Sequence, residues 1–470
     1  MAEPRARPPA AAGRFYPADP ARLSAMVQRM LDDAPAQRVE GRIIAGLSPH
    51  AGHEFSGPAT ARLCRALSGL EPDIIAIVGT AHFASSQGFF LDDHAAFRTP
   101  LGEVPVSQTE NAELLKAGAQ LSAQAHEEEH SIEVVLPFLQ KTFKKRFSLI
   151  PVAANSQSLP EAQRFGQALA AALKGKKALI LAASDLSHYP PLSVARQVDP
   201  ASLESFLTLD PKFLFKTEEF LMKLQVPDLH CAWCGSSAAA AVQSAAVALG
   251  SDWGEPLACM NSADLAGDES RTVGYGAALL LKRGQRRPWP TQDLTPKEKA
   301  ELLALARESV RDRLKGRKST HRLFDRPRFN LPAAVFVTWT KNGGLRGCIG
   351  TTVPQDTLAN AVARYAQVSA FEDPRFPSVD DEELSHLRAE ISILSEPQPA
   401  QPDEIASGLG VIVGRSGRQG LYLPQVWEKL PDREEFMSSL CQDKAGLPAD
   451  YWKRPDAALS IFRVSTFEEQ

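Results

Sequence analysis

The chain has 470 residues, too many for one ordinary hydrophobic core, so two or three domains are expected. Hydrophobic residues at 44% and charged residues at 23% are the balance of a soluble globular protein, and a formal net charge of −4 argues against a chain devoted to nucleic acid. No apolar run approaches membrane-spanning length. The six cysteines (Cys64, Cys231, Cys234, Cys259, Cys348 and Cys441) are scattered rather than arrayed as a disulfide framework, which fits a reducing, cytoplasmic setting.

In chain order, residues 1–12 are rich in Ala, Pro and Arg without an apolar core and read as a disordered lead. Residues 42–48, 73–80, 147–153 and 177–184 are short, apolar and partly β-branched, with a later strand at 273–281. Helical patterns lie between them at 59–67, 131–145, 160–173 and 235–249. Apolar strands alternating with helices predict a mostly parallel sheet covered on both faces, an α/β domain ending near residue 283. Residues 284–295 are polar and Pro-punctuated, the natural linker. From 282 to 328 fifteen Lys/Arg stand against six Asp/Glu; a basic stretch of this kind can hold phosphate, and it reads better as a solvated helix face and linker. Thr295, Pro296 and Glu298 mark a helix start running to about residue 315. Beyond it, strands at 333–340, 345–349, 390–394 and 410–413 and helices at 356–369 and 434–441 lack strict alternation, which predicts an α+β domain.

The chemistry-bearing residues sit where predicted strands run out. Ser48-Pro49-His50-Ala51-Gly52-His53 follows the first strand, Thr80-Ala81-His82 the second, and Ser184-Asp185-Leu186-Ser187-His188 a later one. Cys234 joins them at a helix start. An open α/β sheet gathers the ends of its strands along one crevice. A single such His is an ordinary hydrogen-bonded loop residue; three at equivalent strand ends point to a shared site. Imidazole, carboxylate and thiolate are ligands for Fe, Zn and Cu, and a spare His or Asp beside a metal can move protons. His126-Glu127-Glu128-Glu129-His130 matches a zinc-protease pattern, but it lies in an acidic run before the helical periodicity begins, so it reads as a loop and helix cap. Cys231-Ala232-Trp233-Cys234 has no second CxxC to complete a structural zinc site.

Ala12-Gly13-Arg14-Phe15-Tyr16-Pro17, Pro49-His50-Ala51-Gly52, Gly79-Thr80-Ala81-His82, Thr99-Pro100-Leu101-Gly102, Glu129-His130-Ser131-Ile132-Glu133 with Leu136-Pro137, Ser184-Asp185-Leu186-Ser187-His188 and Cys234-Gly235 occur in this order. Together they resemble the Memo family over residues 13–283. The resemblance implies a fold like the class III extradiol dioxygenases, non-haem iron enzymes that open catechol rings. It places His50, His82 and Cys234 at the metal-ligand positions and Asp185 and His188 in the same pocket as catalytic candidates; His130 and His53, which stand beside these motifs, are taken as substrate-binding candidates. Cys234 stands where a dioxygenase would use a carboxylate for iron; the exchange softens the site and admits copper beside Fe(II). His53 departs from the aromatic residue common after Ala-Gly in the family; it could serve as an extra ligand or acid/base group, and reads better as a satisfied loop residue.

In the second half, Leu345-Arg346-Gly347-Cys348-Ile349-Gly350 sets a Cys between glycines on a strand or tight turn. Its thiol is a catalytic candidate near an Arg-lined pocket or a small inert buried group. With Ala370-Phe371-Glu372-Asp373-Pro374-Arg375-Phe376-Pro377, Gly420-Leu421-Tyr422-Leu423-Pro424 and the segment Cys441 to Leu447, it resembles the AMMECR domain over residues 296–470. Arg346, Asp373 and Arg375 are the accompanying binding candidates. A fusion of this kind resembles systems in which Memo and AMMECR proteins accompany a radical-SAM protein; this chain lacks a CxxxCxxC triad, so that enzyme would be a separate partner.

The expectation is a metal-dependent redox enzyme, dioxygenase-like, acting on a small molecule. The competing readings are a scaffold with a vestigial pocket and a metal chaperone.

Overall fold

The computed structural model describes residues 5–317, 321–415 and 417–469 and divides the chain into two compact units, 1–287 and 288–470.

The first unit is built on an eight-stranded sheet. Its strands are β1 (Arg42–Ser48), β2 (Ile74–Thr80), β3 (Gly88–Leu91), β4 (Gln120–Leu121), β5 (Ser148–Asn155), β6 (Ala178–Ala183), β7 (Trp253–Asn261) and β8 (Gly274–Lys282), in the spatial order β7-β8-β1-β6-β2-β5-β3-β4. The central four strands are parallel to one another. β8 joins β1 antiparallel and β7 joins β8 antiparallel, while β3 joins β5 antiparallel. Alternate side chains leave opposite faces. Ile75 and Ile77 of β2 pack into one core with the helices Pro20–Asp33 and His53–Leu67; Ala76 and Val78 pack into the other with the helices Leu159–Leu173 and Ser236–Ala248. Burial on both faces is why these strands read as continuous apolar runs rather than alternating ones.

The expected disordered lead is corrected for its described part. Ala6–Arg7 pair in parallel with Ala96–Phe97, and Arg7 is 1% exposed. Its guanidinium donates to Glu133 Oε2 at 2.6 Å and to the His126 carbonyl at 2.7 Å. Glu133 also accepts the amides of Ala10 and Ala11 and the Tyr16 hydroxyl. A charge this deep is tolerated only because it is paired and hydrogen-bonded on several sides, and its partners lie more than a hundred residues away in sequence. The expected helix over 131–145 is shortened to a 3₁₀ turn, Glu133–Val135, and the helix Leu136–Thr142.

In the second unit, strands Gly344–Gly350, Pro332–Lys341, Leu387–Leu394 and Val464–Glu468 form an antiparallel sheet in that order. The helices Pro296–Leu314 and Leu358–Phe371 share a core with Val335, Val337, Trp339 and Ile391. Thr295 and Glu298 form the full reciprocal cap expected at the start of the first helix. A second antiparallel sheet runs Gln398–Pro399, Ala458–Phe462, Gly410–Arg415, Arg418–Tyr422. The architecture is α/β in the first unit and α+β in the second. No helix among the described residues is long and apolar enough to cross a membrane.

Candidate metal centre

His50, His82 and Asp185 each stand two residues past the end of a strand, β1, β2 and β6 respectively. Those strands are parallel neighbours, with Ser48 and Gly79 both in register with Ala183, so the three side chains emerge at one level on one edge. Cys234 reaches the same edge just before the helix Ser236–Ala248. Gly235 lets that segment sit against β2, because a Cβ there would run into Thr80 Oγ1.

The imidazoles are oriented by their outer nitrogens. His50 Nδ1 lies 2.8 Å from the Ala183 carbonyl, which makes it the donor and leaves Nε2 a lone pair. His82 Nδ1 lies 3.0 Å from Glu129 Oε1, and the His82 amide donates to Glu129 Oε2 at 2.6 Å. The two Nε2 atoms then converge on Cys234 Sγ, at 3.4 Å from His50 and 3.3 Å from His82. Metal–nitrogen and metal–sulfur bonds of about 2.0 and 2.3 Å at a tetrahedral angle hold such atoms about 3.5 Å apart, so this donor set fits a metal ion. Ring nitrogens held by a carbonyl and a carboxylate are the outer support such ligands ordinarily have.

Asp185 lies between two imidazoles. Its Oδ1 accepts the His50 amide at 2.8 Å; its Oδ2 is 3.8 Å from His50 Nε2 and 3.7 Å from His188 Nε2. Burial alone would lift its pKa, but His50 and His188 outweigh it and hold the carboxyl below the ordinary range. Glu129 behaves alike: burial raises it, while His82 and the Ser131 amide hold it down to about 2. Burial pushes His50 below its ordinary value and His130 down to about 3, with the His50 charge adding to the second shift. Burial and Asp185 push the Cys234 thiol well up, so in the metal-free site the sulfur keeps its proton.

His130 comes closer to the cluster than its expected role as a substrate contact. Nitrogens of His50, His82 and His130 lie within 4.8 Å of one another. The His130 ring stacks on His82 with centroids 4.6 Å apart and on Phe15 at 4.2 Å. Glu129 is the residue missed in sequence; its place in an acidic run concealed its role beneath His82. The expectation for His53 is corrected. It is 1% exposed, its Nε2 bonds the Val134 carbonyl at 2.7 Å, and its ring stacks on Tyr16, outside the cluster. His126 also faces elsewhere, with Nε2 on the Phe90 carbonyl at 2.9 Å, which removes the zinc-protease reading.

In the second unit Cys348, Asp373 and Arg375 come together, while Arg346 pairs with Glu383. Asp373 accepts the Cys348 amide at 2.8 Å and binds the Arg375 guanidinium at 2.9 and 2.7 Å; Arg375 also donates to the Cys348 carbonyl. The Arg375 guanidinium beside Asp373 holds its carboxyl far below the usual range. Arg346 is taken up by Glu383 at 2.9 and 2.8 Å, a partner the sequence reading missed. Cys348 Sγ accepts from Thr338 Oγ1 at 3.2 Å.

A family model described as Memo-like protein matches residues 7–279, and one described as AMMECR1 matches residues 303–467. A MEMO1 family protein of Nitrosopumilus maritimus is 32% identical over 281 residues, covering 58% of this chain and 99% of that protein. One of Methanopyrus kandleri is 33% identical over 291 residues, covering 59% and 99%. One of Aquifex aeolicus is 31% identical over 279 residues, covering 59% and 100%. Among solved structures, an uncharacterized protein from Pyrococcus horikoshii is 36% identical with a TM-score of 0.34, covering 36% of this chain and 90% of that one. A family model that spans more than half the chain, over the very segment that carries the strand-end cluster, shows that this chain belongs to the Memo-like family, with an AMMECR1 domain following in the same polypeptide.

Proposed function

We propose that the first unit is a metal-dependent oxidoreductase, dioxygenase-like, which binds iron or copper through His50, His82 and Cys234 and acts on a small molecule. The observation that carries the reading is the convergence of two oriented Nε2 atoms on one sulfur at 3.3 and 3.4 Å, with a carboxylate and a further imidazole beside them. His130 has a ring nearly parallel to His82, at 18°, so its in-plane lone pairs run alongside those of His82 instead of meeting them; Cys234 is the better third ligand and His130 a wall of the site. A bound iron or copper ion would supply Lewis-acid and one-electron chemistry at this point.

The protein's own groups handle protons and position. Asp185 lies between His50 and His188, and His188 Nε2 has no hydrogen-bond partner among the described residues. That pair is placed to take a proton from a substrate hydroxyl or a water and hold it next to the carboxylate. A cavity of roughly 690 Å³ bordered by Thr80, Trp233 and Cys234 reaches the site from the Cys234 side; His50, His82, Asp185 and His188 do not line it.

Support for a separate radical-SAM partner is the pairing of Memo-like and AMMECR1 domains in one chain. In the second unit a substrate or that partner would reach Cys348, Arg346, Asp373 and Arg375 only by competing with the Arg346–Glu383 and Arg375–Asp373 ion pairs.

Metal analysis of protein purified without added metal tests the reading, followed by oxygen uptake with catechols. About one iron or copper per chain, lost in His82→Ala, together with uptake supports it. Full metal content in both His50→Ala and His82→Ala removes the ligand assignment; metal bound without any oxygen chemistry leaves a chaperone.

A further inference from the structure

β8 runs antiparallel to β1, with Leu281 opposite Ile43 and Ala278 opposite Leu47, so the residues leading into β8 arrive at the edge that carries His50. Arg271 and Thr272 are among them. Thr272 ties this lead to the segment after β6. The Tyr189 amide donates to the Thr272 carbonyl at 2.7 Å, and the Thr272 amide and hydroxyl both donate to the Pro190 carbonyl at 2.9 Å. Between these bonds Tyr189 is held at φ +71°, a left-handed conformation that bulky side chains rarely adopt. Such a turn persists only where its neighbours impose it. The Tyr189 ring lies against His188 with centroids 5.4 Å apart, and stands nearly perpendicular to the exposed His230 at 5.1 Å. It carries the Arg271 guanidinium over its face, 3.9 Å from the ring centre.

Among the described residues of the first unit, three arginines lie over aromatic rings. Arg7, over Phe97, is bonded to Glu133, and Arg283, over Trp253, pairs with Glu255 at 3.3 Å. Arg271 has neither a carboxylate nor a carbonyl partner among the described residues. An exposed arginine is by itself an ordinary surface residue. This one differs in being braced on a ring that is itself fixed, and in standing one aromatic ring away from His188, whose side chain is 22% exposed. A guanidinium over a ring face keeps its N–H edge turned outward, and that planar fork matches the two oxygens of a carboxylate.

We infer that the small molecule taken at the strand-end site carries a carboxylate, and that Arg271, braced by Tyr189, is the residue that selects it. The hydroxyl-bearing end of the molecule is then directed to Asp185 and His188. A compound built on a single aromatic ring is long enough to reach from one to the other, since only the Tyr189 ring and its two contacts separate them. The inference rests on the reading of the first unit as a small-molecule site and adds the charge of the substrate to it.

The test is a calorimetric titration of the full-length chain with para-hydroxybenzoate and with para-hydroxybenzamide, which has the same outline and no charge. The unmodified chain should bind the acid at least about 10-fold more tightly, the worth of one charge-assisted pair. Arg271→Met keeps a stem on Tyr189 and should bring the two ligands to equal affinity without lowering the melting temperature or the metal content. Arg271→Lys, which has the charge but no planar fork, should keep only part of the preference. His188→Gln should weaken acid and amide alike and leave their ratio unchanged. The proposal is overturned by an unmodified chain with no preference for the acid, by an Arg271→Met chain that keeps one, or by a His188→Gln chain that binds both ligands undiminished. A preference that follows Arg271 in a chain with no metal and no oxygen chemistry would remove the oxidoreductase reading and leave the carboxylate site standing.

Discussion

The strand-end cluster of the first unit and the Cys348 cluster of the second use similar residues in opposite ways. Around Cys234 the inner nitrogens of His50 and His82 are left to face a sulfur, while their outer nitrogens are held by a carbonyl and a carboxylate. Around Cys348 each charge already has its counter-charge: Arg346 with Glu383, Arg375 with Asp373. A site whose donors are oriented yet unspent is prepared for a guest. A site whose charges are paired off is prepared to hold its own backbone, and a ligand there must compete with an existing ion pair. A cysteine and carboxylates thus belong to an open donor set beside histidines and to a brace beside arginines.

The contrast breaks most plainly at the ligands. Cys234→Ser should reduce iron or copper retention below detection in dialysed protein, a larger effect than loss of any supporting residue, as read by metal analysis against unmodified chain. In the second unit Glu383→Ala should destabilise by about 3–5 kcal/mol in urea unfolding, since it strands the nearly buried Arg346. The double change Arg346→Met/Glu383→Leu should recover most of that loss if the pair is a brace. A double variant as unstable as the single one would mean that Arg346 does something more than balance Glu383.

Glu129→Gln sharpens the comparison from the other side. It keeps the shape beneath His82 but removes the charge, and should weaken metal binding by about 10–100-fold in a competition titration, with little change in melting temperature of the metal-free protein.

The smallest effect concerns Asp373. Its folded-state pKa is depressed by Arg375 and by the Cys348 amide. The stabilisation is therefore present above the unfolded value near pH 4 and is lost as pH falls below it. Melting curves between pH 5 and 3 should show the second unit weakening, and Asp373→Asn should flatten that part of the decline.

How much of this was legible in the sequence follows from what each residue depends on. His50, His82 and Asp185 were readable because a buried parallel strand is locally recognisable and the residue two places past its end has nowhere else to go. That β1, β6 and β2 are neighbours, which brings the three together, is a matter of topology. Arg7 and Glu133 were not legible: an Arg in a Pro-Ala-Arg stretch looks solvated until its partner is known, and here the partner is 126 residues away. His53 misled for the opposite reason. It stands beside a site motif, but the helix that starts there turns its ring into the core.

The convergence on Cys234 has one more consequence. Its two imidazole neighbours are 184 and 152 residues distant along the chain, so no partly assembled form of the sheet offers the complete grip. An ion held by that set would load only after the strands had taken their final order, and would then favour the finished arrangement by an amount that grows with its free concentration. Under the proposed function, metal occupancy would therefore gauge maturation, because only protein that has completed the long-range assembly would offer the whole ligand set.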